Sequence, residues 1–400
     1  MRRLAFIVLV LFIGMMVMAA EGTAAEVVKI GVLTPLSPPG DYGGGQLISR
    51  GAKLGAEYVN GRGGILGGKK IELVIEDDAG TPEKGVAGYR KLVTQDQVVA
   101  VIGQYHSSVM NAVNDLAEQF GVPVFSTQAS ARVLTEEHFV TTFRTHAIDP
   151  DRARMWLNFI KDSGYKRIAI IAENTDYGIG LIEETKAQTK QMGLDLQLKS
   201  VVFDRGVVDF TPQLLELKSW KPDLLINVGV GNAAYLLIKQ SFDIGLFPQT
   251  PMLVSYDFPV RPEYWGNLGP KGNYLMYISY YHPKMKVTEV GEWFKKAYTA
   301  KYNEPPVYSA FNAFGQIVII AQALEMAQST KPADLIAALE KGKFTSWNGV
   351  VTFTRGEGPY WHQWSPPLLI LQYTKVNQPY DQATILYPPD MKTGEYTSPQ

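Results

Sequence analysis

The 400-residue chain contains no cysteine. That single absence excludes disulfides, thiolate metal sites and a cysteine nucleophile together, and in an oxidising compartment it also removes any mispairing. An excess of charge is missing too. Lys and Arg number 38 against 39 Asp and Glu, so there is no electrostatic ground for nucleic acid or an anionic membrane surface as partner. The usual enzyme signatures are absent: no G-x-S-x-G nucleophile elbow, no P-loop, no H-E-x-x-H zinc motif. The five histidines (His106, His138, His146, His282, His362) show no ligand spacing, and no metal or cofactor is expected. Gly229-Val230-Gly231 follows an apolar run, but Ala234 stands where a dinucleotide fingerprint needs its third glycine, so it reads as a tight strand-to-helix turn. Asp77 and Asp78 are adjacent, which at a strand end sends them to opposite faces. That favours a turn or capping role over a paired acid and base.

What is present begins with a leader. Arg2 and Arg3 precede an apolar run from Leu4 to Met18 broken only by Gly14, and Thr23-Ala24-Ala25 follow. This is the layout of a secretory signal peptide cleaved near Ala25, and the run is short for a bilayer span. Beyond it no second stretch reads as a span, so the mature chain is expected to be soluble. From Glu26 onward the chain exceeds what one hydrophobic core usually serves, and two domains are expected.

Short β-branched runs then alternate with amphipathic segments. Val28–Leu33, Ile71–Glu76, Val98–Ile102 and Val122–Ser126 read as buried strands. Val109, Val113, Leu116, Ala117 and Phe120 mark one face of a helix ended by Gly121 and Pro123. The pattern restarts with Ile168–Ala172, Leu196–Phe203, Leu224–Val228 and Met252–Ser255, with a boundary near Phe143–Asp149. The fold class is therefore α/β: two successive Rossmann-like lobes whose crevices open at the carboxyl ends of parallel strands. Tyr308–Ala327 and Pro332–Lys341 read as further helices.

The chemistry concentrates where strands end and helices begin. Gly103-Gln104-Tyr105-His106-Ser107-Ser108 precedes one helix, and Ser126-Thr127-Gln128-Ala129-Ser130 follows the next strand. Helix starts offer free N–H donors and a partial positive charge suited to a carboxylate. The serines could equally be N-caps. Two hydroxyl-rich loops on neighbouring strand ends also suit an anion pocket.

These residues resemble a known family. Lys29-Ile30-Gly31 with Pro35-Leu36, Asn60 with Gly63-Gly64-Ile65, Asp77-Asp78 with Pro82, Gly103 with Ser107-Ser108, and Lys166 to Ile170 leading to Tyr177-Gly178 look like the type 1 periplasmic binding proteins, in their leucine/isoleucine/valine-binding branch. The resemblance runs from about Val27 to Tyr373. It implies two α/β/α lobes joined by three crossovers: residues 26–146 with 281–352 as the first lobe, and 147–280 with 353–400 as the second. It implies a ligand carboxylate held by Ser107 and Ser130, with Gln128 and Ala129 offering backbone groups, and Tyr42 and Tyr177 facing the ligand. The family's ammonium-binding acid falls on Tyr256, with Asp257 one residue on. Tyr105, His106 and Tyr308 are further wall candidates.

The function so implied is that of an exported, periplasmic solute-binding protein rather than an enzyme. It would capture a small carboxylate between its lobes by hinge closure and deliver it, as a monomer, to the membrane permease of an ABC importer. Aromatic or other non-amino acids are favoured by the Tyr256 departure, and branched-chain amino acids or amides come next. A periplasmic sensor of the same fold, feeding a signalling partner, is the alternative.

Overall fold

The computed structural model describes residues 27–399, so the expected leader lies outside them. The first sheet is built from β1 (Val27–Thr34), β2 (Lys70–Asp77), β3 (Val101–Gln104), β4 (Val124–Ser126) and β5 (Thr142–Arg144). The second contains β6 (Arg167–Glu173), β7 (Gln197–Phe203), β8 (Leu224–Val228), β9 (Met252–Val254) and β10 (Met276–Ser279). A small hairpin, β11 (Phe344–Ser346) with β12 (Gly349–Val351), precedes β13 (Leu369–Gln372) and β14 (Thr384–Tyr387).

Strand order in the first sheet is β2-β1-β3-β4-β5, all parallel. The second repeats that order as β7-β6-β8-β9-β10 and adds β13 and β14 antiparallel at its edge. In a doubly wound sheet of this order the chain reverses direction between the first and third strands, which opens a crevice at their carboxyl ends. Here the two crevices face each other.

The chain passes between the sheets three times: between Arg144 and Asp149, between Ser279 and Glu289, and before Leu369. The last return comes later than the expected Phe353. Phe353 packs its ring against Phe143 at 5.1 Å, and His362 stacks on Phe143 at 4.4 Å. Arg144 N donates to the His362 carbonyl at 3.1 Å, and Trp364 N to the Arg144 carbonyl at 2.9 Å. Aromatic burial and an extra edge pairing thus hold residues 353–364 on the first sheet. The strand expected over Val98–Ile102 lies at Val101–Gln104 instead. Val99 N already donates to the Lys29 carbonyl, so pairing starts before the regular strand.

The helix Tyr308–Ala327 is long and apolar enough to cross a membrane by length and composition, contrary to the expectation of no such stretch, but 78% of its most apolar 18-residue window is buried inside the protein. It packs along the helix Tyr42–Gly61. Their approach is close because Gly51 and Gly55 carry no side chain. A Cβ on Gly51 would lie 2.1 Å from the Ala310 carbonyl oxygen, and one on Gly55 2.7 Å from Ile317. A glycine inside a helix costs about 1 kcal/mol in propensity, yet here alanine would push the helices apart. Gly51→Ala is expected to lose about 1–3 kcal/mol by overpacking, measured as a lower melting temperature by circular dichroism.

Candidate functional site

The loops after the facing switch points meet between the lobes. Tyr105, His106 and Ser107 follow β3, Gln128 follows β4, Tyr177 follows β6, Arg205 follows β7, Val230 follows β8 and Tyr256 follows β9. With Arg152, from the first helix after the first crossover, they line a cavity of about 30 Å³. That is room for about two waters. A wider cleft of about 420 Å³ lies beside it and shares Arg205 and Val230 as walls.

Ser107 does not cap its helix. The N-cap position is His106, which makes no side-chain capping bond. Instead the Ser107 Oγ accepts from the backbone N–H of Ser130 and of Ala131, each at 3.2 Å. Two inbound donors leave the Ser107 O–H free to donate into the cavity. Ser130, an expected ligand residue, is buried but does not line the cavity, and its hydroxyl serves the Asp149 carboxylate instead. The backbone N–H groups of Gln128 and Ala129 are engaged by the Gln104 carbonyl at 3.0 and 3.3 Å, so they do not point to a ligand as expected. The Gln128 side chain lines the cavity and donates to Ser309 Oγ at 2.6 Å.

The lobes are latched by a buried ion pair. Arg261 grips Asp41 with two parallel bonds, Nη1 to Oδ1 at 2.8 Å and Nη2 to Oδ2 at 2.9 Å. Tyr105 OH donates to Asp41 Oδ2 at 2.5 Å, and Arg261 Nη2 donates to the same hydroxyl at 2.9 Å. Burial alone would raise the Asp41 carboxyl, but Arg261 and these hydrogen bonds hold it down at about 2.

Other expected site residues fall elsewhere. Tyr42, at 48% exposure, borders the wider cleft rather than the smaller cavity. Tyr308 sits behind the cavity wall, donating to the Thr145 carbonyl at 2.9 Å with its ring 4.7 Å from Tyr280. Tyr177 shares a 2.7 Å hydrogen bond with Ser255, and the Tyr256 hydroxyl accepts from Gly231 N at 2.9 Å. Asp257 does not line the cavity, but it is buried and neither carboxyl oxygen has a hydrogen-bond partner.

Sequence reasoning missed Arg152, Arg205 and Val230. Arg152 is almost wholly buried; it donates to His146 Nε2 at 2.5 Å and lies 3.7 Å from Asp149. Its guanidinium sits over the rings of Tyr177 and Tyr280 at 5.5 and 5.4 Å. An arginine and an aspartate three residues apart on one helix face (Asp149, Arg152) just after a crossover would have been the available signal.

A family model described as "Periplasmic binding protein" matches residues 27–375. The chain belongs to that family. The Leu/Ile/Val-binding protein homolog 1 of Brucella abortus (strain 2308) is 30% identical over 346 residues, covering 86% of this chain and 90% of its own. The leucine binding protein LivK of Thermotoga maritima shares the fold with a TM-score of 0.79 at 22% identity, over 91% of this chain and 99% of that one. A solute binding protein from R. palustris, solved with benzoate, gives 0.77 at 21% identity, over 90% and 95%. This periplasmic binding protein is thus of the ABC-type substrate-binding class that takes small ligands.

Burial pushes Asp257 from its ordinary 3.8 up to about 6, against the pull of Arg261 and Arg152. Because the folded value lies above the unfolded one, the native state holds the extra proton in between. This contribution to stability is full below about pH 4 and lost as pH rises through about 6. Asp257→Asn should therefore melt higher than the parent at about pH 8, by up to roughly 2–3 kcal/mol. Thermal melts should show that gap closing towards about pH 4.

Proposed function

We propose that the protein captures a small carboxylic acid lacking an ammonium group, an aromatic acid foremost, and presents the closed form as a monomer to the permease of an ABC importer in the periplasm. The observation that carries this reading is the composition of the cavity wall. It holds two guanidinium groups, from Arg152 and Arg205, three tyrosines and no carboxylate. A buried ammonium needs an anionic partner, and none lines the space. A carboxylate finds Arg152 and the free Ser107 hydroxyl, while rings find Tyr105, Tyr177 and Tyr256 in offset or edge contact.

One observation favours a second reading. Both oxygens of buried Asp257 are unpartnered, and a modest shift of the neighbouring Tyr256 would bring an α-ammonium to them. Calorimetry against benzoate and leucine decides between the two. Benzoate binding that survives in Asp257→Asn supports the acid; leucine binding that disappears in that variant replaces it with an amino acid.

The serines give a separable test. A hydrogen bond to a charged group contributes about 1.5–3 kcal/mol, so losing one weakens binding about ten- to a hundredfold. Ser130→Ala should lower stability more than affinity, because its hydroxyl serves the buried Asp149 carboxylate and Ser130 lies off the cavity wall. Ser107→Ala should lower both affinity and stability, since it also strands the N–H groups of Ser130 and Ala131.

A further inference from the structure

The cavity of about 30 Å³ has room for the carboxylate end of an organic acid and not for the whole of a longer one, whereas the cleft beside it holds about 420 Å³. Joined, the two reach the few hundred Å³ typical of small-molecule sites, about 300–1,000 Å³. They share Arg205 and Val230. Arg205 reaches from the second lobe to the first, donating to the Gly80 carbonyl at 2.5 Å and to His106 Nδ1 at 2.9 Å, with Glu173 at 3.3 Å.

That seat is compromised by the histidine. His106 Nε2 also faces a donor, the backbone N–H of Asp41 at 3.2 Å. A neutral imidazole has one acceptor nitrogen, and a protonated one has none. The two inbound donors therefore cannot both be satisfied. When Asp41 N–H keeps its acceptor, Arg205 loses one of its three partners.

We propose that Arg205 is a movable gate between the two spaces and that the ligand is an elongated carboxylic acid, its carboxylate at the Ser107 end and its uncharged tail in the wider cleft. This rests on the acid reading above and specifies its length. The cleft suits such a tail. Asp41 is paired with Arg261, and Glu173 keeps Arg205, its neighbour on the second lobe, when the gate swings off Gly80 and His106. Glu263 stands at the cleft wall, and Pro39, Val207, Val208, Val230 and Tyr235 supply its apolar part. Tyr235 OH and the neighbouring Asn267 side chain, which interact with each other, are the polar groups the cleft offers to the tail.

The test is calorimetry of the mature protein with benzoate, phenylacetate, phenylpropanoate and phenylpentanoate, with leucine as control. Affinity should rise with tail length, by up to about fourfold per buried methylene. In Arg205→Met the longest acid should gain over benzoate relative to the parent, because it no longer displaces a hydrogen-bonded guanidinium. Benzoate binding tightest, with affinity falling at each added methylene, overturns the gate and leaves the acid reading standing. Binding of leucine alone, with no acid bound, overturns both. The acid series on the unaltered protein decides the matter even where the variant fails to fold.

Discussion

The paired bonds between Asp41 and Arg261 are the contact on which the closed molecule depends. They join a loop of the first lobe to one of the second and stand in the wall of the wider cleft. A buried pair of this kind recovers its desolvation cost only with good geometry and further hydrogen bonds. Here Tyr105 and the Gly44 N–H provide those bonds. Asp41 serves twice, since its Oδ1 also caps the helix Tyr42–Gly61. The pair involves no ligand, so its net free energy, with that of the Arg205 bridge to Gly80 and His106, bears on how large a population of the empty protein has its lobes together. The ligand's affinity carries that population as a factor.

Arg152 plays a complementary part at the opposite end. It stands one helical turn past the first crossover, bonds His146 within that crossover, and sits over Tyr280 where the second crossover begins. An anion reaching its guanidinium therefore touches the segments about which the lobes turn. If the lobes close on the ligand as proposed, this one side chain would link binding to closure, because its contacts form in only one of two states.

Much of this was legible in the residues. Alternating apolar runs located the two lobes, because parallel strands buried on both faces leave continuous β-branched stretches. The serine loops were visible because hydroxyls cluster after glycine at strand ends. Other parts were hidden for physical reasons. β5, with the sequence Thr-Phe-Arg, is too short and polar to signal a strand, and its Arg144 is buried only through partners such as the Ala131 carbonyl at 2.9 Å. The late return at Leu369 depends on Phe353 and His362 meeting Phe143, more than two hundred residues away. Arg152 and Arg205 lie in a helix and a loop with no neighbouring motif, and only the fold brings them to one wall.

The interleaving of the lobes also governs the order in which the molecule is completed. The first sheet relies on the helix Tyr308–Ala327 packing against Tyr42–Gly61, and the edge of the second sheet waits for β13 and β14. Neither half is whole until nearly all of the chain has left the ribosome. Contacts so distant in sequence form slowly, whereas a domain made of one continuous segment can fold while synthesis proceeds. Both lobes therefore reach their full complement of contacts only late in synthesis, together rather than one after the other.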